Sequence, residues 1–324
     1  MLKSINALAI VTTIFVAAIS PVKADEAYPD RPITIVVAYP PGGGIDTLAR
    51  LISVELSDRL GQPVVVLNKA GAAGSIGTAS VARDKPDGYT MLLSGANAIL
   101  SPLVDPNLSF TIKDFSPVAR LTVTPYTLAI SPSLGINTFE ELVEYSKQHP
   151  GELNYGSTGL GSVQHLLGAL AQNRADVDWT HIPYKGGNEA LRELSAERVQ
   201  IMFSNPIPLT PYLQNESIKV IGVATEDRIP AMPDVPTLLE QGVEDFDITT
   251  WVGLLSPAGT PESIRNKISD EIVSIVEIPK IRTAIEQLGS IVSPMPTKQF
   301  GEFLIKDEAR WKSILDQSGF DSKS

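Results

Sequence analysis

One stretch limits the fold more than any other. "ITIVVAY", Ile33 to Tyr39, is β-branched and apolar throughout, the signature of a strand buried on both faces in a parallel sheet. "PPGGGIDTLARLI" follows: two prolines and three glycines, then apolar residues at Ile45, Leu48, Ala49, Ile52 and Leu56 with helical spacing, and Gly61 as a stop just past Leu60. "PVVVLN" then supplies a second strand. Strand, glycine-rich turn, helix and strand make a βαβ unit, so the turn lies at the carboxyl end of a strand and feeds the positive end of a helix. Anions bind at such ends, and glycines at 42, 43 and 44 let backbone N–H groups come close to one.

The second half repeats the arrangement. "ELNYG" reads as a strand, "STGLGS" (Ser157 to Ser162) as the loop, and "VQHLLGALAQN" as a helix with Val163, Leu166, Leu167 and Leu170 on one face; "DWTHIPY" returns as a strand. Two anion-ready helix starts suit two lobes facing each other across a cleft. Nucleotide motifs do not fit: no G-x-x-x-x-G-K-[ST] occurs, and "GGGIDT" puts Thr47 where the dinucleotide fingerprint needs its last glycine. "GAAGSIG" reads only as a loop leading to a helix around Thr78 to Arg83.

The first 24 residues form a short cationic start at Lys3, an apolar run from Ile5 to Ile19 and "PVKA", the pattern of a secretory leader cleaved after Ala24, with Ala27 the alternative. That run is shorter than the roughly 20 residues needed to span a bilayer. The leader carries Lys3, Lys23 and no acid, so its removal moves the net charge from −11 to −13. Nucleic acid is therefore not an expected partner. An anionic ligand stays open, because capture depends on the field at the site and not on the sum. The chain has no cysteine, which excludes disulfides, a lipidated cysteine and Cys-ligated zinc. The periplasm is the expected address.

Catalytic and metal chemistry find little footing. Ser157 and Ser162 lie near His165, but G-x-S-x-G is absent and no acid is in view. His149, His165 and His181 are the only histidines, without H-x-x-x-H or H-E-x-x-H spacing and without clustered acids, so no metal or other cofactor is expected. An exported serine hydrolase remains a remote alternative. A sensor that docks on a membrane signalling protein is a nearer one.

"YPDRPITIVVAYPPGGGIDTLARLI", "KPDGYTMLL", "PGELNYGSTGLGSVQHL", "HIPYKGG" and "WVGLLSPAGTP" occur in this order from Tyr28 to about Gly319 and together resemble the substrate-binding proteins of tripartite tricarboxylate transporters, the Bug-type receptors. The resemblance implies an α/β, two-lobed periplasmic binding protein of type II, each lobe a mainly parallel sheet flanked by helices. It implies a receptor that closes on a small carboxylate and delivers it to membrane permease subunits, as a monomer without a cofactor. Lobe one is expected over 25–125 plus 250–324 and lobe two over 126–249, with crossings near Thr122 to Thr127 and Thr249 to Gly253. The ligand is expected to meet Tyr39, Pro41, Gly42, Gly43, Gly44, Asp46 and Thr47 from the first loop. From the second it is expected to meet Ser157, Thr158, Gly161, Ser162, Gln164 and His165. Strand ends add Ser94, Asn97, Ser204 and Asn205. Tyr184 and Lys185 are candidates for an aromatic wall and for a salt bridge to a second carboxylate. Members of the family often carry an acid where Ser204 stands, so a ligand with an ammonium group is not carried over.

Overall fold

The computed structural model describes residues 28–318 apart from Asp245 and Asp247. The leader and its cleavage site lie outside the described residues. In chain order the elements are β1 (Ile33–Val37), α1 (Gly44–Leu60), β2 (Val64–Asn68), α2 (Ser75–Ala82), β3 (Thr90–Gly95), α3 (Asn97–Val104), β4 (Phe115–Pro125), β5 (Thr127–Ile130), α4 (Phe139–Gln148), β6 (Asn154–Ser157) and α5 (Val163–Ala175). They continue with β7 (Thr180–Pro183), α6 (Gly187–Ser195), β8 (Ile201–Ser204), α7 (Pro206–Gln214), β9 (Lys219–Val223), β10 (Thr249–Pro257), α8 (Glu262–Val276), α9 (Pro279–Gln287), β11 (Ile291–Met295) and α10 (Thr297–Ser318). Three short 3₁₀ turns fill connections, one of them just before α2.

The strands form two sheets, β11-β4-β10-β3-β1-β2 and β7-β6-β8-β5-β9. Each has a parallel core built from βα units. β1 pairs in parallel with β2 and β3, and β6 with β7 and β8. The rest of each sheet is antiparallel, so both sheets are mixed rather than mainly parallel. The reason is the route of the chain. It leaves the first sheet on β4 and enters the second on β5 one residue later, so Tyr126 alone joins them; it comes back on β10. An outgoing and a returning strand laid side by side must be antiparallel, as β4 and β10 are from Thr249↔Pro125 to Pro257↔Phe115.

Helix ends follow local chemistry. Gly61 takes the left-handed conformation (φ +66°) and closes α1 by donating its N–H to Ser57 O, which a glycine does without strain. The face of α1 that bears Leu48, Ala49, Ile52 and Leu56 is buried against β1 and α8 in a core with Ile33, Ile35, Ile268 and Ile272. Burying a leucine or isoleucine contributes about 1.5–3 kcal/mol relative to exposure. In the second sheet, Leu166, Leu167 and Leu170 of α5 do the same with Tyr155, Trp179 and Phe203.

The last helix ties the two halves together. α10 packs on β4 of the first sheet and on α5 of the second. Its Asp307, 2% exposed, accepts hydrogen bonds from Trp251 Nε1 on β10 at 2.7 Å and from Trp311 Nε1 at 3.1 Å. Arg310 pairs with the other oxygen of Asp307 at 2.7 Å and donates to Thr249 O at 3.0 Å, where β10 begins.

Candidate functional site

A cavity of about 420 Å³ lies between the two sheets. Its lining comes from both: Gly44, Ile45 and Asn97 from the first, Val163, Asn205 and Ile207 from the second, and Thr124, Tyr126, Thr250 and Trp251 from the strands that join them. α1, α3, α5 and α7 all open on it. No side chain caps the start of α1, α3 or α7. The first backbone N–H groups of a helix have no partner within the helix and need an outside acceptor. α7 is a separate case: Pro206 and Pro208 at its first and third positions carry no N–H, so Ile207 alone of the first three offers one, and the Asn205 side chain donates to Pro125 O at 3.0 Å and meets Tyr126 instead. The α5 start differs: Ser162 Oγ accepts the His165 N–H at 3.3 Å, leaving the earlier N–H groups uncapped.

Neutral polar groups complete the polar part of the lining. The Tyr39 phenol is hydrogen-bonded with Ser94 and Asn97, and burial still pushes its pKa up. Burial pushes the Tyr126 phenol to about 12 despite hydrogen bonds with Thr250 and Asn205. Both therefore stay protonated at neutral pH, and each O–H remains a donor.

Of the residues expected from sequence to meet a ligand, the structure brings Tyr39, Gly44, Asn97 and Asn205 into the cavity lining. The others support it or lie apart. Pro41, Gly42, Gly43 and Thr47 are exposed around the start of α1. Gly42 has positive φ (+84°), whereas Gly43 is extended, so of these two only Gly42 needs a glycine's conformational freedom. Asp46 is not part of the lining. It is 3% exposed and holds the loop from behind, accepting from Gly42 N (2.8 Å), Asn68 Nδ2 (2.8 Å) and Arg50 Nε (3.0 Å). Those bonds, that of Arg50 foremost, hold its pKa down at about 2 against the cost of burial.

The second loop has a similar backing. His165 and His181 stack with ring centroids 3.8 Å apart at 7°. His165 Nδ1 accepts the Gly161 N–H at 3.1 Å, and His181 Nε2 lies 2.7 Å from Ser157 Oγ. Burial holds both imidazoles neutral, each near pKa 4, with mutual repulsion lowering His181 further. Ser157 thus has a histidine partner, but a different one from the His165 weighed above. Its side chain has no exposed surface, and no carboxylate orients His181 among the described residues. That is a loop support, without the exposed nucleophile that acyl transfer needs. Thr158 donates to Gln164 Oε1 at 3.0 Å. Gly161 lies against α3 so closely that a β-carbon would fall 2.5 Å from Val104 Cγ1, and one at Gly289 would fall 2.3 Å from Ile207 Cγ1. The two halves therefore touch at both places.

Ser94 and Ser204 are buried, and Ser204 Oγ donates to the carbonyl of Asn205 at 3.2 Å. Tyr184 packs on the core beside α6. Lys185 is exposed, its N–H donating to Glu189, and its side chain is not part of the lining. The reading from sequence missed Ile45, Leu48, Ile207, Ile285, Leu288 and Ser290. Thr124, Tyr126, Thr250 and Trp251 were within reach, because they sit in the expected crossings.

The comparisons fit this geometry. Residues 48–320 match the model of the tripartite tricarboxylate transporter family receptor. BugT of Bordetella pertussis is 33% identical over 93% of this chain and 93% of its own. A UPF0065 protein from the tcbD-tcbE intergenic region of Pseudomonas sp. strain P51 is 33% identical over 90% of this chain and 87% of its own. Among solved structures, an R. palustris protein with adipate aligns with a TM-score of 0.81 at 30% identity, covering 90% of this chain and 98% of the other. MatC from Rhodopseudomonas palustris with bound malate gives 0.76 at 30% identity, over 89% and 100%. The chain belongs to the tripartite tricarboxylate transporter receptor family, whose members are periplasmic solute-binding receptors.

Proposed function

We propose that this chain captures one small carboxylate between its two halves and presents it to the permease subunits of a tripartite transporter. What supports the reading is the interlobe cavity onto which α1 and α3 open without side-chain caps. A carboxylate satisfies those N–H groups and sits at the positive ends of the helices, each worth about 0.3–1 kcal/mol to an anion and more when partly buried. Tyr39, Asn97, Tyr126 and Asn205 orient it with neutral donors, and backbone N–H groups of Gly44 and Val163 grip it from opposite lobes. Lobe one comprises 25–125 and 250–324 and lobe two 126–249, and they move about the two crossings as the ligand enters. The protein acts as a monomer in the periplasm after cleavage at Ala24, and it performs no chemistry on its ligand.

A thermal-shift screen of mono-, di- and tricarboxylates, acidic amino acids and neutral sugars tests the reading. A carboxylate present at 100 times its Kd stabilises by about 2.7 kcal/mol. Stabilisation by a neutral sugar and by no carboxylate would contradict it.

A further inference from the structure

At two glycines the halves meet with no side chain between them. Gly161, in the loop before α5, lies against Val104 at the end of α3, and Gly289, in the turn between α9 and β11, lies against Ile207 in the first turn of α7. Each pair joins an element of one sheet's half to an element of the other's. Both glycines are left-handed, at φ +70° and +76°. A β-carbon on Gly161 would fall 2.5 Å from Val104 Cγ1 and 3.3 Å from its Cβ. One on Gly289 would overlap Ile207 Cγ1 and come within 3.0 Å of its Cβ and 3.4 Å of its backbone N. These are branched, stiff atoms next to the main chain and not the far end of a flexible side chain, so an added methyl has to push the halves apart. Gly161 is itself held, because its N–H donates to His165 Nδ1 at 3.1 Å. Ile207 lines the cavity, as do Leu288 and Ser290 on either side of Gly289 and Val163 two residues past Gly161. The spacing at these contacts is therefore the spacing of the cavity walls.

Resting on the receptor reading above, we infer that Gly161 and Gly289 are the stops of closure: against Val104 and Ile207 they set how near the two halves come, and so which ligands both halves can hold at once. Neither glycine has to touch the ligand. What each contributes is a bare backbone that a branched side chain of the other half can approach. A ligand gripped by backbone N–H groups from both halves feels this spacing directly, since a hydrogen bond is lost once donor and acceptor separate beyond about 3.5 Å.

Calorimetry with hexanoate, malate, adipate and citrate on the wild type, Gly161→Ala, Gly289→Ala, Val104→Ala and the Gly161→Ala/Val104→Ala pair decides it. Gly135→Ala is the control for backbone strain: Gly135 has φ +69°, and a β-carbon there meets nothing within 4 Å. Gly161→Ala and Gly289→Ala should each weaken binding about 10-fold or more, because overpacking at the contact leaves the fully closed arrangement sparsely populated. Gly135→Ala carries the same strain and should bind as the wild type does. Val104→Ala removes both methyls that the new β-carbon strikes, so it should restore most of the affinity lost in Gly161→Ala; it could not do so if the loss came from strain at residue 161 or from the ligand's own contact with it. Small-angle scattering reads the spacing itself, and ligand should contract the wild type more than Gly161→Ala. If the wild type binds one of these acids and both glycine variants bind it equally well, or if Val104→Ala restores nothing, this inference falls while the receptor reading stands. If none of the acids binds the wild type, both fall.

Discussion

Replacing Asp46 by alanine tests whether the anion loop is held from behind by a buried carboxylate. Asp46 accepts from Gly42 N, Asn68 Nδ2 and Arg50, and Asn68 Nδ2 also donates to Tyr39 O at 3.1 Å, so one side chain sets both the loop and the cavity tyrosine. Its pKa falls from 3.8 to about 2, which corresponds to stability on the order of 2–3 kcal/mol at neutral pH. Arg50 is 54% exposed, so its share of the loss is screened by solvent; the bonds to Gly42 and Asn68 carry the rest. With unfolding entropy near 2.1 cal/mol/K per residue, the melting temperature should fall by roughly 3–4 °C. The sign with pH follows from a lowered carboxylate pKa: the contribution is whole above 3.8 and is lost as pH drops toward 2. Calorimetric melts of wild type, Asp46→Asn and Asp46→Ala from pH 7 to 2.5 measure both effects. Ligand affinity should fall in the alanine variant as Tyr39 and Gly42 lose their anchor. Equal melting temperatures at pH 7, or a wild-type advantage that persists unchanged to pH 2.5, would refute the reasoning.

The remaining predictions concern the cleft, the hinge and the histidines. Gly44→Leu should abolish carboxylate binding without loss of thermal stability, because a β-carbon at Gly44 meets nothing within 4 Å and the added side chain enters the cavity; unaltered calorimetric affinity would show that the ligand lies elsewhere. Asp307→Ala leaves the Trp251 and Trp311 indole N–H groups and Arg310 without their shared acceptor, so stability in urea should drop by about 3–5 kcal/mol, whereas a loss under 1 kcal/mol would count against its role at the hinge. His165 and His181, with pKa values near 4 against 6.5 for the free side chain, stay neutral while the unfolded chain takes up protons. Stability should thus be whole above pH 6.5 and decline toward pH 4, by up to about 1.4 kcal/mol per unit per histidine. His181→Asn should flatten that slope in pH-dependent denaturation, and an unchanged slope would remove the pair as its source.

The βα units were legible because local signals agreed: an unbroken β-branched run, glycines at the turn, helical spacing from Ile45 to Leu56, and Gly61 in the left-handed conformation its position called for. Tyr39, Gly44, Asn97 and Asn205 reached the cavity lining because strand ends and helix starts are where α/β sheets place ligands. The part of the lining around α9 was not legible. Ile285 on α9 and Leu288 just past its end have the spacing of any core-facing helix, and only the packing of α9 beside α1 brings them to the cavity. Asp46 and His165 misled for a related reason. Polar residues in a glycine-rich loop read as ligand contacts, but the loop also needs holding, and its carboxylate and imidazole are used for that. The mixed sheets were hidden as well, since strand direction depends on the outgoing and returning path and not on the residues within β4 or β10.

The most direct measurement is a crystal structure of the protein with the acid that calorimetry ranks tightest. One ligand is expected in the interlobe cavity, its carboxylate oxygens about 2.7–3.2 Å from backbone N–H groups at the starts of α1 and α5. A carboxylate paired with Lys185 outside the cleft, or held by one lobe alone, would contradict it.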